Sequence, residues 1–330
     1  EALAAARDRL AAEADYHRFV QFLVDRQWSR LLGYAHEHGV RIVGDIPIFV
    51  ALDSADVWSR QELFFMDERG RPTVVAGVPP DYFSATGQRW GNPLYRWDVM
   101  AADGYRWWIQ RFQRTLAQVD VVRIDHFRGF QAYWEIPAER ETAEIGRWVD
   151  GPGEALFRSV EAAVGHLPVI AENLGIITPE VERLRHVLGY PGMVVLHFAF
   201  EGGAANPYLP HNYERGCVGY TGTHDNDTTI GWFTTRSPEE QERVRRYLGS
   251  AEEINWDLIR LLYRSVADFA VVPLQDVLGL GTEARMNMPG QAYGNWGWRV
   301  RPEQMGTELA GRLRELVEVY GRTGNKRDGG

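Results

Sequence analysis

The sequence predicts an α/β protein built on a parallel β-sheet. Segments with the apolar, β-branched character of strands alternate with segments of helical periodicity, and this alternation is typical of parallel sheets. Six such strands are expected, beginning near Val40, Val119, Pro168, Met193, Val218 and Phe269. A (β/α)8 barrel needs two more strands. An open doubly wound sheet accommodates six, but no glycine-rich phosphate loop follows the first strand. The residues alone leave both architectures open.

Composition limits the class of partner and the compartment. The 330 residues carry a net charge of −9, spread without long blocks, which argues against a nucleic-acid or anionic-membrane partner. The one cysteine, Cys217, cannot form an internal disulfide and is typical of a reducing compartment. There is no apolar run of membrane-spanning length and no secretion signal in the opening residues, so a cytoplasmic protein is expected.

Tryptophan is abundant, with 12 residues, and several lie in stretches without regular periodicity. Core packing is the weaker explanation at such positions, whereas flat aromatic faces beside a cleft suit stacking on sugar rings. The tryptophans in question are Trp58, Trp90, Trp97, Trp134, Trp296 and Trp298.

The first elements are two helices and a strand. Residues 2–14 are rich in alanine and charge, and Asp15 is placed to cap a second helix over Tyr16–His38, whose apolar residues keep helical spacing. The apolar segment Val40–Ile48 reads as a strand. Residues 49–96 keep no sustained period and are rich in proline, glycine and aromatic residues, so we interpret them as an insertion.

The middle of the chain repeats the alternation. A helix over Tyr105–Leu116 leads into the strand that starts at Val119, where β-branched residues suit a buried parallel strand. Residues 130–152 are a second irregular insertion. They are followed by a helix over Gly153–Val164 and a strand over Pro168–Glu172.

The last part contains three strands and four helices with clear start signals. Thr178 caps a helix with Pro179 at its first position, and Ser237 opens another with a capping box. The remaining elements are strands over Met193–Phe200, Val218–Asp225 and Phe269–Leu274 and helices over Asn255–Ser265 and Glu303–Tyr320.

Four predicted strands carry an acidic residue at or near the carboxyl end: Asp45, Asp125, Glu172 and Asp225. In a parallel barrel this end is the active-site face, and helix capping alone hardly explains four acids there. Several carboxylates with many aromatic residues suit glycosyl transfer. Arg123, two residues before Asp125, favours the ionised form and makes Asp125 the expected nucleophile. The apolar strand end at Glu172 favours a protonated general acid, and Asp225 would grip sugar hydroxyls.

Metal chemistry is not expected from this sequence. His126, His197 and His224 could bind zinc, but they lack the close spacing of a motif such as HExxH. We therefore predict no metal site and no cofactor.

Four segments make the interpretation specific: GDIPIFVALDSADVW, VRIDHFRGFQAYWEIP, IAENLGIITPEV and YTGTHDNDTT. Together they resemble the amylomaltases, the 4-α-glucanotransferases of glycoside hydrolase family 77, from about Phe19 to the last helix. The resemblance implies a TIM (β/α)8 barrel of the α-amylase clan, with strands 3–8 present here and the first two absent. It also implies that Asp125 is the nucleophile, Glu172 the acid/base and Asp225 the transition-state stabiliser.

The same resemblance implies further substrate contacts. Arg123, His224 and Asp45 match residues of the family's site. The segment GVPPDYFSATGQRWGNP, residues 77–93, resembles the mobile loop over the donor sugar, and RMNMPGQAYGNWGWR, residues 285–299, resembles the family's C-terminal signature. The contacts expected from these two segments are Asp81, Gln88, Trp90 and Asn287.

The expected protein is a single catalytic domain over residues 1–330, incomplete at its N-terminus, with insertions at 49–96 and 130–152. Its substrates would be α-1,4-glucans and malto-oligosaccharides, and an absent N-terminal segment could be a partner. Two alternatives stay open: an α-1,4-glucan hydrolase, because both reactions share the first half-reaction, and a catalytically incompetent glucan-binding fragment.

Overall fold

The computed structural model describes residues 2–80, 84–291 and 293–324, which fall into two compact units. The first unit lies within Glu1–Glu172 and Thr178–Leu188, and the second within Asn173–Ile177 and Gly189–Gly330. No helix among the described residues has the length and apolarity that crossing a membrane requires.

The strands of the described residues are short. In chain order they are β1 (Val43–Pro47), β2 (Val74–Val78), β3 (Gln88–Pro93), β4 (Val121–Asp125), β5 (Ala132–Pro137), β6 (Arg147–Asp150), β7 (Val169–Ala171), β8 (Gly192–Val195), β9 (Cys217–Tyr220) and β10 (Phe269–Val271).

The helices alternate with these strands. They are α1 (Ala2–Arg9), α2 (Ala11–Glu37), α3 (Ala55–Ser59), α4 (Trp97–Ala102), α5 (Arg106–Leu116), α6 (Gly153–Val164), α7 (Pro179–Leu188), α8 (Thr229–Thr234), α9 (Pro238–Leu248), α10 (Ile254–Tyr263), α11 (Leu274–Val277) and α12 (Thr307–Val319).

All six predicted parallel strands are present, which confirms the α/β class. In the first unit they form a parallel sheet in the order β1–β4–β7, and in the second a parallel sheet in the order β10–β9–β8. The register of β1 on β4 pairs Asp45 with Arg123, because Val43 lies opposite Val121. The sequence therefore placed the strands that carry the acidic residues correctly.

Several predicted boundaries were wrong. The strand predicted over Met193–Phe200 ends at Val195, because Leu196–Phe198 turns into a 3-10 helix, and the strand predicted over Phe269–Leu274 ends at Val271. The strand predicted to reach Asp225 ends at Tyr220, since the residues that follow form a turn. The first of these strands is followed by a 3-10 helix, the second by α11 and the third by a turn.

The predicted cap of the second helix was also wrong. The alanines before Asp15 continue the helix without a breaker, so α2 starts at Ala11 and Asp15 lies inside it. There its carboxylate accepts a hydrogen bond of 2.6 Å from Arg18, one turn along. The capping box at Ser237 and Glu240, in contrast, is confirmed at the start of α9.

The segments 49–96 and 130–152 form more regular structure than the sequence indicated. Their strands pair antiparallel in one four-stranded sheet, in the order β3–β2–β5–β6. The central residues of β2 are buried, so the strand lacks the apolar–polar alternation that identifies a half-exposed strand. Gly77 is needed for the β2–β3 approach, because a Cβ atom there would lie 2.2 Å from the carbonyl oxygen of Gln88.

Aromatic residues dominate the core of the first unit, and two of the tryptophans that the sequence analysis singled out pack against it. Trp97 stacks on the fully buried Trp108 with ring centroids 6.2 Å apart. Trp134 packs beside the buried Ile136 and donates from its indole to the carbonyl of Ala143. Both side chains are half-buried, and they lie in α4 and β5 instead of in loops, so packing accounts for part of each ring.

The core of the second unit contains a buried histidine. The ring of His197 stacks on Trp232 with centroids 4.7 Å apart, and its Nε2 lies 3.1 Å from the hydroxyl of Thr229. Its Nδ1 is buried without a hydrogen-bond partner. Burial, with a smaller effect from the charge of Arg236, lowers the pKa of His197 from 6.5 to about 3.

This buried imidazole should make stability fall in acid. Between pH 6.5 and 3 the unfolded chain binds a proton at residue 197 that the folded protein does not. Its contribution to the free energy of unfolding should therefore fall by up to about 1.4 kcal/mol for each pH unit below 6.5. We expect urea denaturation between about pH 7 and 5 to show a shallower pH dependence for His197→Gln than for the parent. The exposed His166 is the control, since His166→Gln should keep the parent's slope. An unchanged slope in His197→Gln would contradict the assignment.

Candidate active site

The first unit brings two predicted carboxylates to one arginine. Arg123 and Asp125 lie two residues apart on β4 and so share a face of the strand, and Asp45 lies opposite Arg123 on β1. One guanidinium nitrogen of Arg123, Nη2, lies 2.8 Å from Asp125 and 3.0 Å from Asp45. The Arg123 side chain is only 11% exposed, whereas that of Asp125 is 44% exposed. The guanidinium favours the ionised form of Asp125, whose side chain remains open to solvent on one side.

Glu172 lies directly beside Asp125. Its backbone N–H donates to the carbonyl of Ile124 at 3.0 Å, and its carbonyl accepts from the N–H of Phe127 at 3.2 Å. These two bonds continue the β4–β7 pairing by one residue, so Glu172 and Asp125 occupy neighbouring positions on adjacent strands. Because paired strands lie about 4.8 Å apart, the two carboxyl groups start from close backbone positions.

The carboxylate of Glu172 is oriented by the residue after Asp125. The backbone N–H of His126 donates to Glu172 Oε2 at 2.8 Å. His126 has a φ of +52°, a left-handed conformation that is uncommon for residues other than glycine, although histidine adopts it more often than most. Its ring is buried, and burial lowers its pKa to about 3. Sequence reasoning considered His126 only as a metal ligand, because a positive φ leaves no clear signal in the sequence.

Arg128 is a second residue that sequence reasoning missed. Its guanidinium lies over the ring of Trp148, 4.0 Å from the ring centroid, and the side chain is largely buried. Burial lowers the pKa of Arg128, and the negative charge of Glu172 opposes that effect. Arg128 thus places positive charge within electrostatic reach of Glu172. The segment RGF in the motif around Asp125 was the only signal that could have pointed to it.

The hairpin of β2 and β3 carries the predicted loop contacts. Gln88 and Trp90 both lie on β3, and the indole N–H of Trp90 donates to Gln88 at 3.2 Å. The Trp90 ring meets the ring of His126 edge to face, with centroids 4.8 Å apart, and remains 39% exposed. The third predicted contact, Asp81, lies outside the described residues. Trp90 therefore connects the hairpin to the turn that orients Glu172.

In the second unit, Asp225 lies in a turn after β9. Its carboxylate accepts a hydrogen bond of 2.6 Å from the amide of Asn287 and lies 3.4 Å from Nε2 of His224. Arg285 donates to the carbonyls of both Asp225 and Asn287, at 2.7 and 2.8 Å. The predicted residues Asp225, His224 and Asn287 are thus brought together, although Asn287 follows Asp225 by 62 residues.

Trp296 belongs to the same group. Its ring lies 5.2 Å from the His224 ring, it is 53% exposed, and its backbone N–H donates to the carbonyl of Met286. A φ of +59° at Trp296 turns the chain at this point. An exposed indole beside a carboxylate suits one face of a sugar ring, in line with the expectation for this tryptophan.

A buried network supports the turn that carries Asp225. Asp276 is 1% exposed, and its carboxylate accepts from the hydroxyls of Thr221 and Thr229 at 2.6 and 2.8 Å and from the backbone N–H of Thr229 at 2.7 Å. Burial raises the pKa of Asp276, and these hydrogen bonds oppose the shift. Three donors to one buried carboxylate join β9, α8 and α11 at the base of the turn.

The third predicted histidine contributes by packing. A Cβ atom on Gly222 would lie 2.7 Å from the His197 ring, so the chain passes directly over the imidazole before it reaches His224. In the part of the chain that the structure describes, no group of three His, Cys, Asp or Glu side chains is arranged to hold a metal ion.

Comparisons with known proteins agree on one family. A family model for glycoside hydrolase family 77, described as 4-alpha-glucanotransferase, matches residues 1–305. The 4-alpha-glucanotransferase of Synechocystis sp. is 54% identical over 327 residues, which cover 98% of this chain and 65% of the relative. The 4-alpha-glucanotransferase of Thermus thermophilus is 55% identical over 328 residues, which cover 97% of this chain and 66% of the relative.

Two solved structures are similar to this chain. An amylomaltase from Streptococcus agalactiae in complex with acarbose matches with a TM-score of 0.94 and 40% identity, over 97% of this chain and 66% of that one. An amylomaltase from Corynebacterium glutamicum, at 21% identity and a TM-score of 0.76 over 98% of this chain and 51% of that one, shows the likeness of fold alone. The chain spans just under two thirds of the length of the curated relatives named above.

Proposed function

Because the chain belongs to glycoside hydrolase family 77, we propose that it acts as a 4-α-glucanotransferase on α-1,4-glucans. The reaction would move glucan segments between malto-oligosaccharides or starch chains with retention of configuration. The observation that carries the proposal is the adjacent placement of Asp125 and Glu172, held by Arg123 on one side and by the His126 N–H on the other.

In the first half-reaction, a carboxylate oxygen of Asp125 attacks the anomeric carbon. The bond from that carbon to the leaving oxygen breaks, and Glu172 gives its proton to that oxygen. Because Glu172 Oε2 accepts the His126 N–H, the acid form would carry its proton on Oε1. The product is a glycosyl ester of Asp125 and a shortened glucan.

In the second half-reaction, Glu172 removes the proton of an acceptor's 4-hydroxyl, whose oxygen displaces Asp125 from the anomeric carbon. While Asp125 is ionised, its charge favours a protonated Glu172, and after esterification that charge is gone. Neighbouring strands bring the two carboxyl groups close, which suits the separation of about 5–5.5 Å in retaining enzymes better than the 6.5–9.5 Å of inverting ones.

The remaining site residues keep the roles that the family resemblance suggests. Asp225 is proposed to stabilise the transition state, and the proposed substrate contacts are Arg123, His224, Asp45, Asp81, Gln88, Trp90 and Asn287. The hydrogen bond from Asn287 to Asp225 supports a shared role for those two residues.

The architecture proposed for this activity is a (β/α)8 barrel of which the six parallel strands are strands 3–8. Its support is that the acidic residues follow or end these strands at their carboxyl ends. We propose that the antiparallel sheet formed from residues 49–96 and 130–152 is an insertion on this single catalytic domain. A cytoplasmic location remains the proposal that one buried cysteine, Cys217, best fits.

Maltotriose is the substrate that tests the proposal. Transfer should yield glucose together with maltopentaose and other longer oligomers, which chromatography of the products resolves. Products no longer than maltose would support the alternative hydrolase. The absence of any products from folded protein would support the alternative of a catalytically incompetent glucan-binding fragment.

The proposed stacking role of Trp90 has its own test. Trp90→Ala should lower kcat/KM for maltotriose about tenfold, the size expected for the loss of an aromatic contact of about 1.5 kcal/mol. Because the ring is 39% exposed, the free energy of unfolding should change much less. Trp90→Phe keeps a ring and should recover most of the activity. Kinetics of Trp90→Ala that match the parent at every glucan length would contradict a sugar contact.

A further inference from the structure

A cavity of about 540 Å3 opens in the second unit, between α9 and the segment that follows β8. This volume is within the range of small-molecule sites. The residues that line the cavity include Phe200, Gly203, His211, Arg243, Arg246 and Tyr247. None of them has a role in the proposed transfer reaction, so the cavity is unexplained by it.

The aromatic wall of the cavity is held in place by hydrogen bonds. His211 Nε2 lies 2.8 Å from the carbonyl oxygen of Ala204, and its Nδ1 lies 2.9 Å from the hydroxyl of Tyr247. A carbonyl only accepts, so Nε2 carries the hydrogen. In the neutral ring Nδ1 therefore accepts from the Tyr247 hydroxyl, which burial keeps protonated by raising the pKa of Tyr247. The phenol oxygen still has lone pairs, so it can accept a hydrogen bond from a ligand hydroxyl.

The helix side of the cavity is positively charged. Arg243 and Arg246 are three residues apart on α9 and thus lie on one face, with Tyr247 four residues after Arg243. Arg243 donates one hydrogen bond, to the carbonyl of Phe200 at 2.9 Å. Within the residues that the structure describes, neither guanidinium has a carboxylate at ion-pair distance, and none of the lining side chains is acidic. Two uncompensated guanidinium groups beside a cavity favour an anion, in a chain whose net charge is −9.

We propose that this cavity binds a phosphorylated monosaccharide. The phosphate would lie between Arg243 and Arg246, which can each donate two hydrogen bonds to it, and the sugar ring would lie against Tyr247 and His211. The volume exceeds the need of a phosphate ion alone, and the rings and the phenol oxygen supply the amphipathic surface that a hexose prefers. The site would respond to a sugar phosphate independently of glucan transfer.

Calorimetric titration of the purified protein with glucose 1-phosphate, glucose 6-phosphate, inorganic phosphate and maltose tests the proposal. We expect at least one hexose phosphate to bind saturably, with a Kd that rises tenfold or more in Arg246→Gln. Arg246 makes no hydrogen bond or ion pair among the described residues, so this change breaks no such bond of the native structure. Inorganic phosphate should bind the parent more weakly than the hexose phosphate does. The calorimetric response to maltose should be the same in Arg246→Gln as in the parent. Arg314→Gln, which removes an exposed arginine of α12 without a described partner, is the matched control and should bind like the parent.

A second variant tests the volume instead of the charge. A Cβ atom on Gly203 would meet no atom within 4 Å, so Gly203→Leu adds bulk to the lining of the cavity without a clash at Cβ, and it should weaken binding of the hexose phosphate. Binding that survives both Arg246→Gln and Gly203→Leu, or no saturable binding of either hexose phosphate to the parent, would overturn the proposal. Inorganic phosphate binding as tightly as the hexose phosphates would overturn it as well.

Discussion

Asp125→Ala is expected to lower glucan transfer from maltotriose by roughly 10⁴-fold or more, because it removes the carboxylate that we propose forms the glycosyl ester. The change also opens a space beside Arg123 that a small anion can enter. With an α-maltosyl fluoride donor and added azide, azide should attack the anomeric carbon as fluoride leaves. The expected product is a β-configured glycosyl azide, which nuclear magnetic resonance identifies by its anomeric coupling.

Asp45 provides the matched control for this experiment. It contacts the same nitrogen of Arg123, and its side chain is 43% exposed against 44% for Asp125, so Asp45→Ala removes a nearly equivalent ion pair. Asp45→Ala should lose activity as a proposed substrate contact, but it should form no glycosyl azide. Azide rescue of Asp45→Ala, or its absence in folded Asp125→Ala, would contradict the nucleophile assignment.

Local chemistry made the parallel strands of this protein predictable. The run Val119–Val122 and its apolar counterparts are strand-like on their own, so every predicted strand is found, and the acids near their ends follow from the same reading. The strand ends were less predictable, because they depend on where the chain turns. The end of α5 illustrates this, since Val119 still donates to the Thr115 carbonyl and the strand begins only at Val121.

The contacts that orient the site residues could not be predicted from the sequence, for a different reason. The N–H of His126 reaches Glu172 through a left-handed turn, and Arg128 reaches it through burial over a tryptophan. Asn287 meets Asp225 across 62 residues of chain. Each of these contacts depends on tertiary position, which neither residue type nor spacing encodes. The resemblance of motifs could indicate Asn287 as a site residue. It could not indicate that the Asn287 amide donates to the carboxylate of Asp225.

The structure also changes the expected environment of Glu172. The sequence suggested an apolar strand end that would favour the protonated acid. The structure instead gives its carboxylate a backbone N–H donor and the nearby charge of Arg128, both of which favour ionisation. The charge of Asp125, when it is ionised, would oppose them. The protonation of Glu172 would thus depend strongly on whether Asp125 carries a charge or a sugar.

Glu172→Gln tests that dependence. Glutamine keeps a side-chain oxygen for the His126 N–H, so the local structure should persist, and thermal unfolding should match that of the parent closely. Transfer from maltotriose should fall by about 10²–10⁴-fold, the usual contribution of a general acid. From an α-maltosyl fluoride, whose leaving group needs no proton, the first half-reaction should continue at a rate near that of the parent. The glycosyl ester of Asp125 should then accumulate, because residue 172 can no longer act as the base for the acceptor.

Mass spectrometry of the trapped enzyme after brief mixing with the fluoride measures this accumulation, as a mass increase of one maltosyl group on the peptide that contains Asp125. Glu180→Gln, an exposed change on α7, is the control and should transfer from both donors like the parent. If folded Glu172→Gln loses activity equally with maltotriose and with the fluoride, Glu172 supports Asp125 instead of transferring a proton. If the variant keeps its activity with both donors, another group is the acid. Proton transfer by Glu172 requires that activity be lost selectively with maltotriose, the donor whose leaving group needs a proton. A purely structural role would lower the activity with both donors alike.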